Sequence, residues 1–284
     1  MSEAYFKKSK ACSDKSESWL EDSREHPVVL TIAGSDPCCG AGLQADIRVA
    51  SALGCYATSV VTALTSQNTR GVYNVMPVPP GQVAEQGRVL IEDVAPVAIK
   101  VGMLGSEEVA REVLKIINAS GCRQVVVDTI MHSTSGRPLF EWNGGGAFEQ
   151  ILRRARVITP NLPEARVLLA PDLDCDLSQM PQTLSRKFGG VSVYLKGGHQ
   201  EGDVLTDVFY NAETMELVEM LARRVETNNT HGTGCCLSTS LACGLAMGKS
   251  LDESARFAHD FTHSALERGR TFVLGSGHGP TFSF

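Results

Sequence analysis

The sequence predicts an α/β fold of three layers, in which helices cover both faces of a mainly parallel sheet. From Pro27 onward, short β-branched runs alternate with amphipathic helical runs. This alternation is typical of parallel strands joined by crossover helices. Polar or glycine-rich segments follow the strands, and such sheets bind ligands beyond the carboxyl ends of their strands. We therefore expect those segments to face one crevice.

The first half of the chain supplies four predicted strands. They are Val28–Ala33, Tyr56–Leu64, Ala98–Gly102 and Gln124–Asp128. A helix follows the first strand, because apolar residues recur on one helical face until Gly54. Those residues are Leu43, Ile47, Ala50 and Leu53. A second helix begins at Ser106, a favourable N-cap, and runs to about Asn118.

The second half continues the pattern with two strands, a hairpin and two long helices. The strands are Val157–Thr159 and Val191–Leu195, and the hairpin pairs Asp207–Tyr210 with Glu216–Glu219. The helices are Thr233–Met247 and Asp252–Arg268. Ser250 and Glu253 form a capping-box pattern at the start of the last helix.

Composition limits the possible classes of protein. The 284 residues are 43% apolar with a net charge of −6, which is typical of a globular protein and argues against nucleic acid or an anionic membrane as partner. There is no run of about 18 apolar residues, so no membrane span is expected. Nine cysteines without a Cys-x-x-Cys spacing favour reduced thiols in the cytoplasm. Residues 1–26 are polar and are interpreted as a flexible extension, and residues 27–284 as one domain.

The segment around Gly232, Thr233 and Gly234 is the candidate anion-binding loop. It places backbone N–H groups at the start of a helix, where the helix dipole adds partial positive charge. A phosphoryl group in transfer fits such a place. Cys235 follows in the first turn, where a thiolate would be stabilised, so it is the candidate base for a hydroxyl group. The alternative is a glycine loop that leads into a buried, cysteine-containing helix.

Oxygen-bearing side chains follow two other predicted strands. Asn161 and Glu164 are three apart at a strand-to-helix junction, and Asp128 ends another strand. Magnesium prefers such oxygen ligands, so Asp128 and Glu164 are the candidate metal ligands. Asn161 and Glu164 could equally be a helix N-cap with its capping-box partner. Lys196 ends a strand before two glycines and could reach a phosphate.

Three residues are candidates for a substrate pocket. Gln67 lies in a polar loop after an apolar run, and its amide can both donate to and accept from an aminopyrimidine edge. Met103 could pack on a flat ring, although a methionine is more often part of the core. Asp46 is either a hydrogen-bond partner of the substrate or an ordinary surface acid.

Nine segments occur in the order known from one family. They are Leu30–Pro37, Gly40–Asp46, Thr62–Leu64, Gln67–Val72, Lys100–Leu104, Asp128–Met131, Ile158–Ala165, Lys196–His199 and Asn229–Cys235. In these segments the chain resembles the hydroxymethylpyrimidine/phosphomethylpyrimidine kinases of thiamine biosynthesis, which have a ribokinase-like fold. The resemblance covers the chain from about Val28 to its end.

The resemblance implies an activity and roles for particular residues. It implies phosphorylation by ATP of 4-amino-5-hydroxymethyl-2-methylpyrimidine and then of its monophosphate, with Mg²⁺ and as a homodimer. Cys235 would be the base above the Gly232–Gly234 loop. Four residues would bind the pyrimidine, namely Gln67, Met103, Asp46 and Ala41. Lys196, Asn161 and Thr230 would bind the nucleotide.

Two departures from the family pattern concern the edges of the expected site. The first loop reads Asp36-Pro37-Cys38-Cys39-Gly40-Ala41-Gly42, so Cys39 stands where the family usually has a glycine and must adopt that backbone conformation or shift the loop. The flap at Met131–Gly136 lacks the usual lysine, which bears on the second phosphorylation. Arg137 is the candidate substitute.

Two other functions fit parts of the sequence. A pyridoxal or pyridoxine kinase would share the fold, but no cysteine occurs between Asp128 and Arg137, and Gln67 favours the aminopyrimidine. A weakly catalytic regulator that binds a nucleotide or pyrimidine is motivated by the altered first loop and flap. A sugar or adenosine kinase is disfavoured, because most ribokinase relatives have an aspartate at the position of Cys235.

Overall fold

The computed structural model describes residues 26–133, 136–169, 176, 178–198 and 202–281. The predicted N-terminal extension lies outside these residues, except for His26. The strands are β1 (Val28–Ser35), β2 (Tyr56–Asn68), β3 (Gly71–Pro77), β4 (Ala98–Val101), β5 (Gln124–Val127), β6 (Val157–Ile158), β7 (Ser192–Leu195), β8 (Val204–Asn211) and β9 (Glu216–Arg223).

The described part also contains a helix after most of the strands. These helices are α1 (Gly42–Ala52), α2 (Pro80–Asp93), α3 (Glu107–Ser120), α4 (Gly146–Arg154), α5 (Leu162–Leu169), α6 (Met180–Lys187), α7 (Thr233–Ala246) and α8 (Leu251–Gly269). None of the helices in the described ranges is both long and apolar enough to cross a bilayer. The predicted capping box of α8 is confirmed, since Ser250 and Glu253 bond reciprocally.

All nine strands form one sheet in the order β3-β2-β1-β4-β5-β6-β7-β8-β9. The six central strands of this order pair in parallel, namely β2, β1, β4, β5, β6 and β7. An antiparallel pairing adds β3 at one edge, and the β8–β9 hairpin completes the other edge. The predicted mainly parallel α/β sheet is confirmed, and its carboxyl ends meet along one edge of the molecule.

Helices cover both faces of the sheet and bury two apolar clusters. Along β1, Leu30 and Ile32 face the cluster beneath α3 and α4, while Val29 faces the cluster beneath α7 and α8. This alternation is the period-2 pattern of a strand covered on both sides. The three-layer prediction is therefore confirmed.

One predicted boundary is wrong. Gln67 was expected in a loop, but β2 continues past Leu64 and includes Gln67, which pairs with Val72 of β3. The strand β3 and the helices α2, α4 and α6 were not predicted from the sequence. The strand extension reaches beyond the neighbouring β1, so only β3 supports it.

Candidate active site

A cavity of about 650 Å³ opens at the carboxyl ends of the central strands. The segments that were expected to share one crevice all contribute to its lining. They supply Gly34, Ser35, Asp36, Met103, Asp128, Asn161, Lys196, Gly198 and the residues from Gly232 to Cys235. The predicted convergence of the strand ends is therefore confirmed.

The Gly232 loop forms the start of α7, as expected for an anion-binding site. Gly232 is the N-cap residue, with a left-handed φ of 84° and no side-chain cap for the helix. A Cβ at Gly232 would lie 1.7 Å from the carbonyl oxygen of Gly40, so the close approach of the two loops requires glycine here. The Thr233 amide donates to the carbonyl oxygen of Thr230, at 3.2 Å, so the following N–H groups of the first turn are the candidates to bind an anion in the cavity, which Thr233 and Gly234 also line.

Cys235 lies in the first turn of α7 and lines the cavity, with 5% of its surface exposed. Burial raises the pKa of its thiol to about 11, although Lys100 and a backbone hydrogen bond with Gly42 act in the opposite direction. The expectation of a stabilised thiolate is therefore wrong, because burial opposes the charged form of the thiol more strongly than Lys100 and the Gly42 backbone favour it. Its neighbour Cys236 points into the core, as its 2% exposure shows.

Asp128 and Lys196 form an ion pair beside the anion loop. The ammonium nitrogen of Lys196 lies 2.9 Å from Oδ1 of Asp128 and 3.7 Å from Oε2 of Glu164. Burial opposes ionisation of Asp128, but Lys196 and Lys100 lower the pKa of its carboxyl group below the usual value. Gly234 packs on this pair, since a Cβ there would lie 3.4 Å from both partners. The pair is therefore held next to the place where a phosphoryl group would bind.

Asn161 and Glu164 combine the two roles that the sequence left open. Oδ1 of Asn161 accepts a hydrogen bond of 2.8 Å from the Glu164 amide, and Oε2 of Glu164 accepts one of 2.9 Å from the Asn161 amide. This is the reciprocal bonding of a capping box. Both side chains also line the cavity. Burial raises the pKa of Glu164. Lys196 acts in the opposite direction, and the neighbouring Asp128 raises the pKa further.

The predicted substrate residues divide into two groups. Ala41, Gln67 and Met103 line the cavity, and so does Thr230 on the side of the anion loop. Asp46 does not line it. Its side chain is fully buried and forms an ion pair with Lys100, at 2.8 Å, so its predicted contact with the pyrimidine has no support from the geometry.

Asp36 organises the unusual first loop. Its carboxylate accepts hydrogen bonds from the amides of Cys38, Gly40 and Ala41, and Nε2 of His231 lies 2.8 Å from Oδ2. Burial opposes the charge of this group, yet the hydrogen bonds, above all that from His231, lower its pKa to about 2. The His231 ring thereby fixes the first loop against the anion loop.

Cys39 adopts the backbone conformation that its position requires. Its φ of 56° lies in the left-handed region, which non-glycine residues enter at a cost of about 1 kcal/mol or more. The sequence left open whether the loop shifts or Cys39 accepts this conformation, and the structure shows the second outcome.

Contrary to expectation, the flap does not bring Arg137 into the cavity. Nη1 of Arg137 donates to the carbonyl oxygens of Val72 and Tyr73, at 3.2 and 2.7 Å, and thus ties the flap to β3. His132 lines the cavity instead. Thr134 and Ser135 of the flap lie outside the described residues.

Sequence reasoning missed several residues of the cavity. Lys100 is the most informative, because a lysine inside the apolar run of β4 was a visible signal of a buried charge. Other missed residues lack such a signal, since β3 and the β8–β9 hairpin bring them in from the sheet edges. They are Val72, Leu205, Arg224 and Val225.

Comparison with known proteins gives consistent results. The model of the family described as phosphomethylpyrimidine kinase matches residues 36–282. A hydroxymethylpyrimidine/phosphomethylpyrimidine kinase of Rhizobium meliloti (strain 1021) is 38% identical over 260 residues, which cover 90% of this chain and 97% of the relative.

Solved structures of two kinds of kinase share the fold. A phosphomethylpyrimidine kinase from Clostridium difficile 630 is 30% identical with a TM-score of 0.71, covering 84% of this chain and 99% of the other. A pyridoxal kinase from Staphylococcus aureus in complex with ADP is 29% identical with a TM-score of 0.80, covering 91% and 93%. The fold is therefore common to kinases for both substrates.

Proposed function

The chain belongs to the phosphomethylpyrimidine kinase family, and on this basis we propose how it acts. It transfers the terminal phosphoryl group of ATP to the hydroxymethyl group of 4-amino-5-hydroxymethyl-2-methylpyrimidine, and then phosphorylates the monophosphate. The observation that carries this proposal is that Cys235 and the anion loop share one cavity with Gln67 and Met103. This transfer requires a base and an anion site. It also requires a pocket for the pyrimidine ring, for which Gln67 offers a polar amide and Met103 an apolar side chain.

The reaction assigns a role to each part of the cavity. The Cys235 thiolate accepts the proton of the substrate hydroxyl group while the hydroxyl oxygen forms a bond to the terminal phosphorus of ATP. The bond from that phosphorus to the bridging oxygen breaks, and ADP leaves. The N–H groups at the start of α7 stabilise the charge on the phosphoryl oxygens during transfer.

The acidic residues fit a magnesium ion that accompanies the nucleotide. Asp128 and Glu164 both line the cavity, and their carboxyl oxygens lie 2.9 and 3.7 Å from the ammonium nitrogen of Lys196. Such a pair favours a divalent cation, which commonly takes one or two carboxylates together with phosphate oxygens. Bound Mg²⁺ would offset negative charge on the phosphates. Lys196, Asn161 and Thr230 would contact the nucleotide.

An assay of ADP release with Mg²⁺ and ATP tests the substrate directly. We would compare hydroxymethylpyrimidine, its monophosphate and pyridoxal side by side. Turnover of both pyrimidines is the expected result. Turnover of hydroxymethylpyrimidine alone would make the protein a single-step kinase and would contradict the second phosphorylation.

Pyridoxal is the second candidate substrate, because a pyridoxal kinase shares the fold with a TM-score of 0.80. The amide of Gln67 supports the aminopyrimidine instead, since it can donate to and accept from the same edge. A clear preference for pyridoxal in the assay would overturn the substrate while leaving the role of Cys235 in place. Absence of turnover with all three would favour a binding protein.

We further propose that residues 27–284 act as one domain, in the cytoplasm and as a homodimer. The continuous sheet supports a single domain. All seven cysteines of the described part are free thiols, which supports a reducing compartment. Light scattering after size exclusion tests the dimer, and a monomeric mass would contradict it.

A further inference from the structure

The buried pair of Lys100 and Asp46 is a costly feature that the catalytic scheme leaves unused. Lys100 stands between Ile99 and Val101, which face the cluster beneath α3, so its side chain points to the opposite face, beneath α7. Asp46 reaches it from α1, with Nζ 2.9 and 2.8 Å from the two carboxylate oxygens. Both side chains are 0% exposed. A buried pair is weak evidence for stability, because desolvation offsets most of the attraction.

The pair has a fixed orientation. Asp46 also accepts hydrogen bonds from the hydroxyl groups of Thr31 and Thr239, at 2.5 and 2.8 Å. These bonds hold the carboxylate in the interior. Lys100 lines the cavity and Asp46 does not. The positive end of the pair is therefore directed toward the cavity.

The helix geometry places Cys235 at that positive end. Cys235 and Thr239 are four residues apart on α7, so they share one helical face, with Cys235 one turn nearer the cavity. Gly42 and Asp46 are likewise four apart on α1. Thr239 bonds Asp46, and the backbone of Gly42 bonds Cys235. The two helices thus have their first turns at the thiol and their second turns at the ion pair.

Several charged groups face the Cys235 thiol and act on its pKa in opposite directions. Lys100 from β4 lowers the pKa of Cys235, whereas Asp46 from α1 and Asp128 after β5 raise it. Lys196 and Glu164 surround Asp128, and Lys196 also interacts with the thiol. Among these groups, Lys100 is the cation that lowers the pKa of Cys235 most.

We propose that Lys100, held by Asp46, is a positioning residue whose buried positive charge stabilises the thiolate of Cys235 and so sets the fraction of enzyme that can accept the substrate proton. This inference extends the proposed function, because it assumes Cys235 as the base. Lys100 itself transfers no proton. Although burial alone would lower the pKa of its ammonium group, Asp46 and Cys235 raise it above the usual value.

The test is the rate at which iodoacetamide alkylates Cys235 at several pH values, quantified peptide by peptide by mass spectrometry. Exposed Cys39 is the internal reference in the same sample. In Lys100→Met we expect Cys235 to react roughly tenfold more slowly near pH 8, since each unit of pKa changes the thiolate fraction about tenfold. We expect kcat to fall by a similar factor and the rise of kcat with pH to move to higher pH. The rate at Cys39 should stay the same.

Two further variants separate charge from packing. Lys100→Met/Asp46→Asn leaves no unpaired charge of this pair, and it should still slow alkylation of Cys235, by about threefold, because the stabilising cation is lost. Thr239→Val removes one hydrogen bond to Asp46 without changing any charge. The bond from Thr31 and both contacts with Lys100 still hold the carboxylate, so the Cys235 rate should be unchanged. These two variants keep the test valid if Lys100→Met does not fold.

Wild-type alkylation rates in the folded Lys100→Met or double variant would overturn the proposal. Equal slowing by Thr239→Val would also overturn it, since packing would then explain the effect. The alkylation rate requires no turnover of any substrate. Failure of the wild-type protein to phosphorylate the pyrimidine would therefore count against the proposed function and not against the action of Lys100 on the thiol.

Discussion

Cys235 shows how one residue can be located from the sequence while its chemistry depends on the fold. The glycine loop before it predicted its place at a helix start, and the structure places it there. The direction of its pKa was predicted wrongly. The pKa of the thiol is raised by burial and by the acids Asp46 and Asp128. Other elements of the fold supply these effects, so the local sequence contains no sign of them.

Cys235→Ala should reduce kcat by at least about 100-fold, because general-base catalysis typically contributes 10²–10⁴-fold. Binding of ATP should change little, since the loop N–H groups remain. Steady-state kinetics and calorimetric titration with an ATP analogue would measure the two effects. Cys236→Ala is the matched control, because this neighbour is buried in the core, and it should keep kcat within about threefold. Wild-type turnover in Cys235→Ala would remove this residue from the mechanism.

The pH dependence of kcat should follow the Cys235 thiol. A thiol with a pKa of about 11 is mostly protonated at neutral pH. As long as the pH is below this pKa, each increase of one pH unit raises the thiolate fraction about tenfold. We therefore expect kcat to increase from about pH 6 to pH 9 until a later step limits the rate. Measurements at saturating substrates in overlapping buffers would show it. A flat profile would mean that proton transfer to Cys235 does not limit turnover.

At the scale of elements, β2 explains the main error of the sequence analysis. Its residues up to Leu64 pair with β1, and its residues beyond Leu64 pair only with β3, so the burial pattern changes within one strand. The apolar run ends at Leu64, where the sequence predicted the strand to end, but backbone pairing continues to Asn68. Backbone hydrogen bonds with β3 do not depend on apolar side chains, so periodicity could not show them.

The flap gives a prediction at the same scale. Arg137→Ala removes the bonds from the flap to Val72 and Tyr73 of β3, each worth about 1 kcal/mol. We expect the KM for hydroxymethylpyrimidine to rise by about three- to tenfold, because the flap is no longer held over the cavity beside Gln67. Arg88→Ala, which removes an exposed ion-pair cation on α2, is the control and should leave KM unchanged. An unchanged KM in Arg137→Ala would separate the flap from substrate binding.

At the scale of the whole molecule, the alternation of strands and helices was sufficient to predict the parallel centre of the sheet and the crevice at its carboxyl edge. It did not show the antiparallel β3 at one edge, whereas the predicted β8–β9 hairpin at the other edge is confirmed. Edge strands are partly exposed, so their residues carry a weaker apolar pattern, as β3 illustrates with no buried residue. The buried Lys100–Asp46 pair was missed for a different reason. Its partners are 54 residues apart, so no local pattern in the sequence shows that they meet.

A bound nucleotide should stabilise the entire fold. At about 100 times its dissociation constant, a non-hydrolysable ATP analogue with Mg²⁺ should add about 2.7 kcal/mol to the free energy of unfolding. Thermal unfolding with and without the analogue would measure this. Cys235→Ala should keep the stabilisation. Gly232→Ala should lose it, because a Cβ would lie 1.7 Å from the carbonyl oxygen of Gly40 and displace the anion loop.

The contact between the Gly232 loop and the first loop has a thermodynamic consequence. Gly232 abuts Gly40, and His231 bonds Asp36, so neither loop can move without the other. In the proposed reaction one loop faces the phosphates, and the other carries Ala41, which lines the cavity and would contact the pyrimidine. Such linkage is reciprocal. Each substrate should change the affinity for the other by the same factor, so the two ligands should bind with cooperativity that a titration of one in the presence of the other would reveal.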